Sequence, residues 1–222
     1  MSEAKPKYPL LILDTASKRT WVGIICKESE LHWVDSRSEP SKALFQLLRK
    51  LQAQQHFKLS DVASIAYNEG PGSTLGIRIA VMAIRSWLST KILSNTTIFA
   101  FNSLAVGLTT SVEANRGIEQ IIVTDARRNS WNALSKDKPD QPRLIDNTDL
   151  ESIGSQLFLL NDFPRWTKSE ANLQALDYRP ESCFARPAFT KVLREVDTPQ
   201  PAVLRQADYQ KWVPRFKPQE IK

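Results

Sequence analysis

Two histidines, two cysteines and seven glycines are all that 222 residues hold of these three types, and each shortage excludes something. His32 and His56 have no second strong ligand at helical or short-loop spacing, which argues against a metal centre built on imidazole and leaves two ordinary half-solvated rings. Cys26 and Cys183 stand far apart with no CxxC pair, so neither a zinc cage nor a disulfide framework is expected, and buried or idle thiols are. No run approaches the ~18 consecutive apolar residues that a membrane span requires. The opening MSEAKPKYPL carries lysines but no apolar signal region. A cytoplasmic chain with no membrane contact is the expectation. A dense basic stripe is also missing. Lys and Arg total 30 against 24 Asp and Glu, a net charge of +6, but both halves of the chain share the excess. The total alone does not imply direct binding to nucleic acid.

What is present is ordinary globular material, 41% hydrophobic and 24% charged, enough for one large domain or two small lobes. PLLILDT (9–15) and TWVGIIC (20–26) are β-leaning runs around a polar ASKR and predict a hairpin, with ELHWVDS (30–36) as a third antiparallel strand. SKALFQLLRKLQAQ sets Leu44, Leu47, Leu48 and Leu51 at helical spacing behind a Ser, Glu, Pro entrance. A short strand, ASIAYN, leads into a loop holding Gly70, Gly72 and Gly76. After it, Ile77, Ala80, Val81, Ile84 and Leu88 form one helical stripe, while Ile79, Met82 and Trp87 add apolar surface beyond it. A helix apolar on more than one side is either buried or exposes surface to a partner.

The halves of the chain resemble each other. LILDTASKRTWVGI and IIVTDARRNSWNAL share an apolar strand, Asp, a polar turn with Arg, then Trp opening a second strand. Such a repeat predicts two similar α/β lobes. In the second half, strands are predicted at QIIVTD, SWNALS, RLIDN and LFLLND, a short helix after Thr148, a helix over 181–196, and a last strand at AVLR (202–205).

Two motifs leave alternatives open. A strand, a glycine loop and a helix present backbone N–H groups to an anion, which makes Gly70, Gly72, Ser73, Gly76 and Arg78 a candidate anion loop. The loop has no P-loop lysine, no GxGxxG spacing and no GxSxG elbow, so a plain tight turn fits as well. Asp14 and Asp125 at strand ends suit a metal ion facing a nucleotide, or turns whose carboxylates bind nearby amides. No catalytic set is evident.

Four segments taken together resemble one known family. LDTA (13–16), GPGSTLGIR (70–78), DARR (125–128) and VLR (203–205) are similar, in order and interval, to the motifs of the bacterial TsaB proteins, also called YeaZ, within the actin/Hsp70/sugar-kinase (ASKHA) superfamily. The resemblance implies two ribonuclease-H-like α/β lobes, here 1–100 with the glycine loop and 101–222 with a last segment able to pack back on the first. It also implies a noncatalytic subunit that pairs with a TsaD-type transferase in forming N6-threonylcarbamoyladenosine on tRNA. In that arrangement the partner holds ATP and the metal, this chain has no cofactor of its own, a TsaE-type ATPase is a further partner, tRNA is met indirectly, and the chain forms a homodimer when alone. The implied interface is a helical bundle to which Leu44, Leu47, Leu48, Leu51, Ile77, Val81, Ile84 and Leu88 contribute. Asp14 and Asp125 then mark a vestigial nucleotide site. Ala16 stands where the family has Ser, and Thr74 and Leu75 where it has Phe and Thr. These changes remove two hydroxyls that could face phosphate, so independent nucleotide binding is not expected. The alternative from the same superfamily is a nucleotide-dependent ATPase or phosphotransferase using Asp14 and Asp125 around Mg²⁺.

Overall fold

The computed structural model describes residues 5–27, 30–111, 119–202 and 204. The first hairpin forms as its apolar runs require. β1 (Leu10–Asp14) pairs antiparallel with β2 (Thr20–Ile25), which pairs with β3 (Leu31–Ser36). α1 (Pro40–Gln55) begins at Glu39, whose carboxylate accepts the Ser41 amide, with Pro40 at the first helical position where its missing N–H costs nothing. β4 (Ser64–Gly70) runs parallel to β1, and α2 (Thr74–Ser89) follows the glycine loop. β5 (Thr97–Asn102) then lies parallel to β4, and α3 (Ser103–Ser111) follows it directly.

The second lobe repeats this strand order. β6 (Gln120–Asp125), β7 (Ser130–Ser135) and β8 (Arg143–Asp146) form an antiparallel meander. α4 (Asn147–Ser152) leads to β9 (Gln156–Leu160), parallel to β6, and β10 (Leu173–Leu176) is parallel to β9. Strand order β5-β4-β1-β2-β3 in one sheet thus matches β10-β9-β6-β7-β8 in the other. The registers match too: Asp14 faces Trp21 across the first hairpin, and Asp125 faces Trp131 across the second. The half-chain repeat is a real structural duplication.

Between the sheets lies α3, an apolar helix of small residues. At Gly107 an added Cβ would sit 2.7 Å from Leu160 Cδ2 and 3.0 Å from Ile122 Cγ2, so the helix packs directly on the second sheet. Alternation along the strands divides that lobe's apolar residues. Ile122, Leu134 and Phe158 join the large core shared with the first lobe, whereas Ile121, Val123, Trp131, Ala133 and Leu157 form a separate core on the other face.

Two expectations need correction. The helix expected over 181–196 stops early: α5 (Pro180–Phe184) gives way to a short 3-10 segment, Pro187–Val192, because Pro187 cannot continue an α-helix. β11 (Arg194–Glu195) then pairs with β5 in the first sheet. The expected lobe boundary at residue 100 falls inside β5, whose pairing with β4 carries the first sheet to Asn102. The last expected strand lies partly outside the described residues, as do Val203 and Arg205 of the VLR motif. Cys26 and Cys183 are free thiols. Among the described residues no helix is long and apolar enough to cross a membrane.

Candidate functional site

The glycine loop is shaped by what it touches. A Cβ at Gly72 would lie 2.2 Å from the Ala16 carbonyl oxygen, and one at Gly76 would lie 2.0 Å from that of Thr15. Gly70 has φ of +115°, a conformation that side chains resist. The loop therefore lies flat on the first hairpin turn. Ser73 donates its amide to Ala16 O at 2.7 Å, and Thr15 Oγ1 donates to Gly76 O at 2.8 Å. Ser73 Oγ caps α2 by accepting the Gly76 amide at 3.2 Å. Close packing accounts for all three glycines without a ligand.

Asp14 is fully buried behind this turn. Its carboxylate accepts the Ala16 amide at 3.0 Å and the Tyr178 hydroxyl, which reaches across from the second lobe. Asn68 Nδ2 donates at 2.9 Å to both Tyr178 and Ser103, extending the network into β4 and α3. Burial pushes the Asp14 carboxyl above its usual range, opposed by the hydrogen bonds of Tyr178, Asn68 and Ala16. Burial and the neighbouring Asp14 charge hold the Tyr178 phenol well above its ordinary value, so the proton stays on oxygen and donates to Asp14. Lys18 N to Asp162 O at 2.6 Å and Arg37 to Asp162 at 2.9 Å tie the same region to the second lobe.

Asp125 does equivalent work in its own lobe. Arg127, Arg128 and Asn129 all have positive φ, which is costly for side-chain residues. Asp125 Oδ1 accepts the Arg127 amide at 2.6 Å, and Oδ2 accepts the amides of Trp166 at 2.7 Å and Thr167 at 2.5 Å. Burial raises this carboxyl, but the amides of Thr167, Arg127 and Trp166 outweigh it and bring the group below its usual value. A depressed acid adds stability above its unfolded value of about 3.9 and loses it as pH falls through the folded value. Asp125→Asn should therefore lower the melting temperature most near neutral pH, with the gap closing below about pH 4. A gap in thermal denaturation that is constant across pH would contradict this account.

Both carboxylates expected to mark a vestigial nucleotide site are engaged by the chain itself: Asp14 is sealed in an inter-lobe network and Asp125 pins a turn. Among the described residues no group of three or more His, Cys, Asp or Glu could hold a metal ion. The interface set is corrected. Leu44, Leu47, Leu48, Leu51, Ile77, Val81 and Ile84 are all buried in the lobe's own core, because helical spacing turns them toward the sheet, and only Leu88 is partly exposed. The opposite faces of the helices carry the exposed apolar side chains, Phe45 on α1 and Leu75 and Met82 on α2.

A groove of about 1120 Å³ runs between α2 and the second lobe. The anion-loop residues Gly70, Gly72, Ser73 and exposed Arg78 line it on one side; Asp125, Arg127 and Trp166 line it on the other. Gly76 does not. Arg127 stacks on Trp166, its guanidinium carbon 4.1 Å from the ring centre. Trp166 and Tyr178 escaped attention in the sequence because no motif or periodicity joins them. Trp166 follows Pro164 in a loop outside any regular element, and only the fold gives it neighbours.

No family model matches the chain, and no curated protein does. Solved structures do match. A Pseudomonas aeruginosa protein described as similar to peptidase YEAZ superposes with a TM-score of 0.62 at 19% identity, covering 88% of this chain and 99% of that one. YeaZ from the same organism gives 0.61 at 18% identity, with 88% and 99% covered. With the matched strand orders of the two sheets, this likeness establishes a YeaZ-like fold of two α/β lobes.

Proposed function

We propose that the chain is a noncatalytic subunit that pairs with a TsaD-type transferase and supports threonylcarbamoyladenosine formation on tRNA. The observation that carries this reading is the outward face of α2, where Leu75 is 62% and Met82 57% exposed although the inner face of the helix is fully packed. Apolar side chains at that exposure serve association better than folding. The motif set and the YeaZ-like fold support the choice of partner. The aspartates that an ATPase or phosphotransferase would need are engaged instead in holding the lobes and a turn. In this reading ATP and metal chemistry belong to the partner, tRNA is met through the assembly, and the complex works in the cytoplasm.

Light scattering during size-exclusion chromatography of the chain mixed with a TsaD-type subunit should show a one-to-one complex. Two separate peaks at micromolar concentration would sink the reading. Substitution must be made on the outer face. Leu75→Asp with Met82→Asp should weaken the complex at least about tenfold, roughly 1.4 kcal/mol, with the melting temperature little changed. Changes at Ile77 or Ile84 would instead damage the core.

A further inference from the structure

Among the described residues the three most exposed large apolar side chains, Leu75, Met82 and Trp166 at 62%, 57% and 54%, all line the groove between α2 and the second lobe. Leu75 and Met82 lie two helical turns apart, about 10 Å along α2, a spacing that a packed helix can match. The same groove is lined by Arg78, Arg85 and Arg127. Its two carboxylates are already compensated. Glu69 pairs with Arg194 at 2.7 Å, and Asp125 accepts three backbone amides. The N-terminal end of α2 adds positive potential at one end of the groove. An apolar floor with a cationic rim has one complementary shape of ligand.

We propose that this groove receives an acidic amphipathic helix of a different protein, its apolar stripe on Leu75, Met82 and Trp166 and its carboxylates on Arg78 and Arg127. This rests on the scaffold reading and names the chemistry of the partner's contact. A second copy of the chain would set the same arginines against each other, so the groove favours a heterologous partner over the self-pairing implied by the resemblance. The chain's own residues 205–222 carry five Lys or Arg against two Asp or Glu, the wrong sign for this rim. Single-stranded RNA would match the arginines but leave Leu75 and Met82 unused.

The test is fluorescence anisotropy on the full chain with a labelled peptide of about five helical turns, a leucine stripe flanked by glutamates. Its twin has lysine for every glutamate, and a labelled single-stranded RNA is run beside them. The acidic peptide should bind at least tenfold more tightly than the twin or the RNA. Arg78→Glu with Arg127→Glu should cost at least tenfold, as should Leu75→Ser with Met82→Ser, whereas Lys42→Glu on α1 should change nothing. Arg78→Glu alone, at an exposed helix position, serves where the turn at Arg127 proves sensitive. No binding of the acidic peptide, equal binding of the twin, tighter binding of RNA, or indifference to the groove substitutions overturns the proposal. So does a dimer in sedimentation that those substitutions break, or a tenfold gain in peptide affinity on ending the chain at Leu204. A TsaD-type subunit that fails to bind while the acidic peptide binds would remove the choice of partner and leave the groove's chemistry standing.

Discussion

Gly76→Ala should cost about 3 kcal/mol or more, enough to leave a marginally stable chain largely unfolded. The added Cβ would stand 2.0 Å from the Thr15 carbonyl oxygen, less than van der Waals contact and against backbone rather than a side chain that could turn aside. Relief requires α2 to lift from the hairpin turn, breaking the bond from Thr15 Oγ1 to Gly76 O. Gly154→Ala is the control, since nothing lies within 4 Å of a Cβ there, and it should fall within about 0.5 kcal/mol of the parent. Urea denaturation of the two variants checks both. A Gly76→Ala protein as stable as the parent would mean that the loop does not lie on the hairpin as described.

The second large effect is expected in the other lobe. Trp131 is fully buried, the largest side chain in its core, and donates its indole N–H to Asn147 Oδ1 at 2.8 Å. Among the described residues that core holds Ile121, Val123, Ala133, Ile145, Leu150 and Leu157 besides, with Ile153, Leu159, Ala171 and Leu173 packed at its edge, so few side chains are available to collapse into the space. Trp131→Ala should cost about 3–5 kcal/mol and leave Asn147 short of a partner. Trp131→Phe keeps most of the volume and should recover most of the loss. Amide exchange should show the damage concentrated in strands β6, β7 and β8, with the first sheet protected longer.

Much of this was legible from residues alone. The hairpins, α1 and the onset of α2 follow from alternation, helical spacing and the Ser, Glu, Pro entrance, all of which act over a few residues. The half-chain repeat at Asp14 and Asp125 announced the duplicated lobes, and the register of Asp opposite Trp in both hairpins is its structural counterpart. β5, α3 and β10 were not assigned. α3 carries no charged residue and is buried or half-buried along its whole length, so it offers no charged face for a periodic pattern to reveal.

The sequence also determined which residues of α1 and α2 are apolar, but not which of them face outward. Ile84 and Met82, two residues apart on one helix, look equally suited to a partner until the sheet claims one side of α2, burying the first and leaving the second exposed. The roles of Asp14 and Asp125 were likewise undecided, because a carboxylate at a strand end suits a metal, a nucleotide or a turn. Tertiary structure decided them by bringing Tyr178 to Asp14 from 164 residues away and the Trp166 amide to Asp125 from 41 away. Local pattern fixes elements through short-range sterics and periodicity, whereas a site depends on contacts between distant segments, and those exist only once the two sheets have closed around α3.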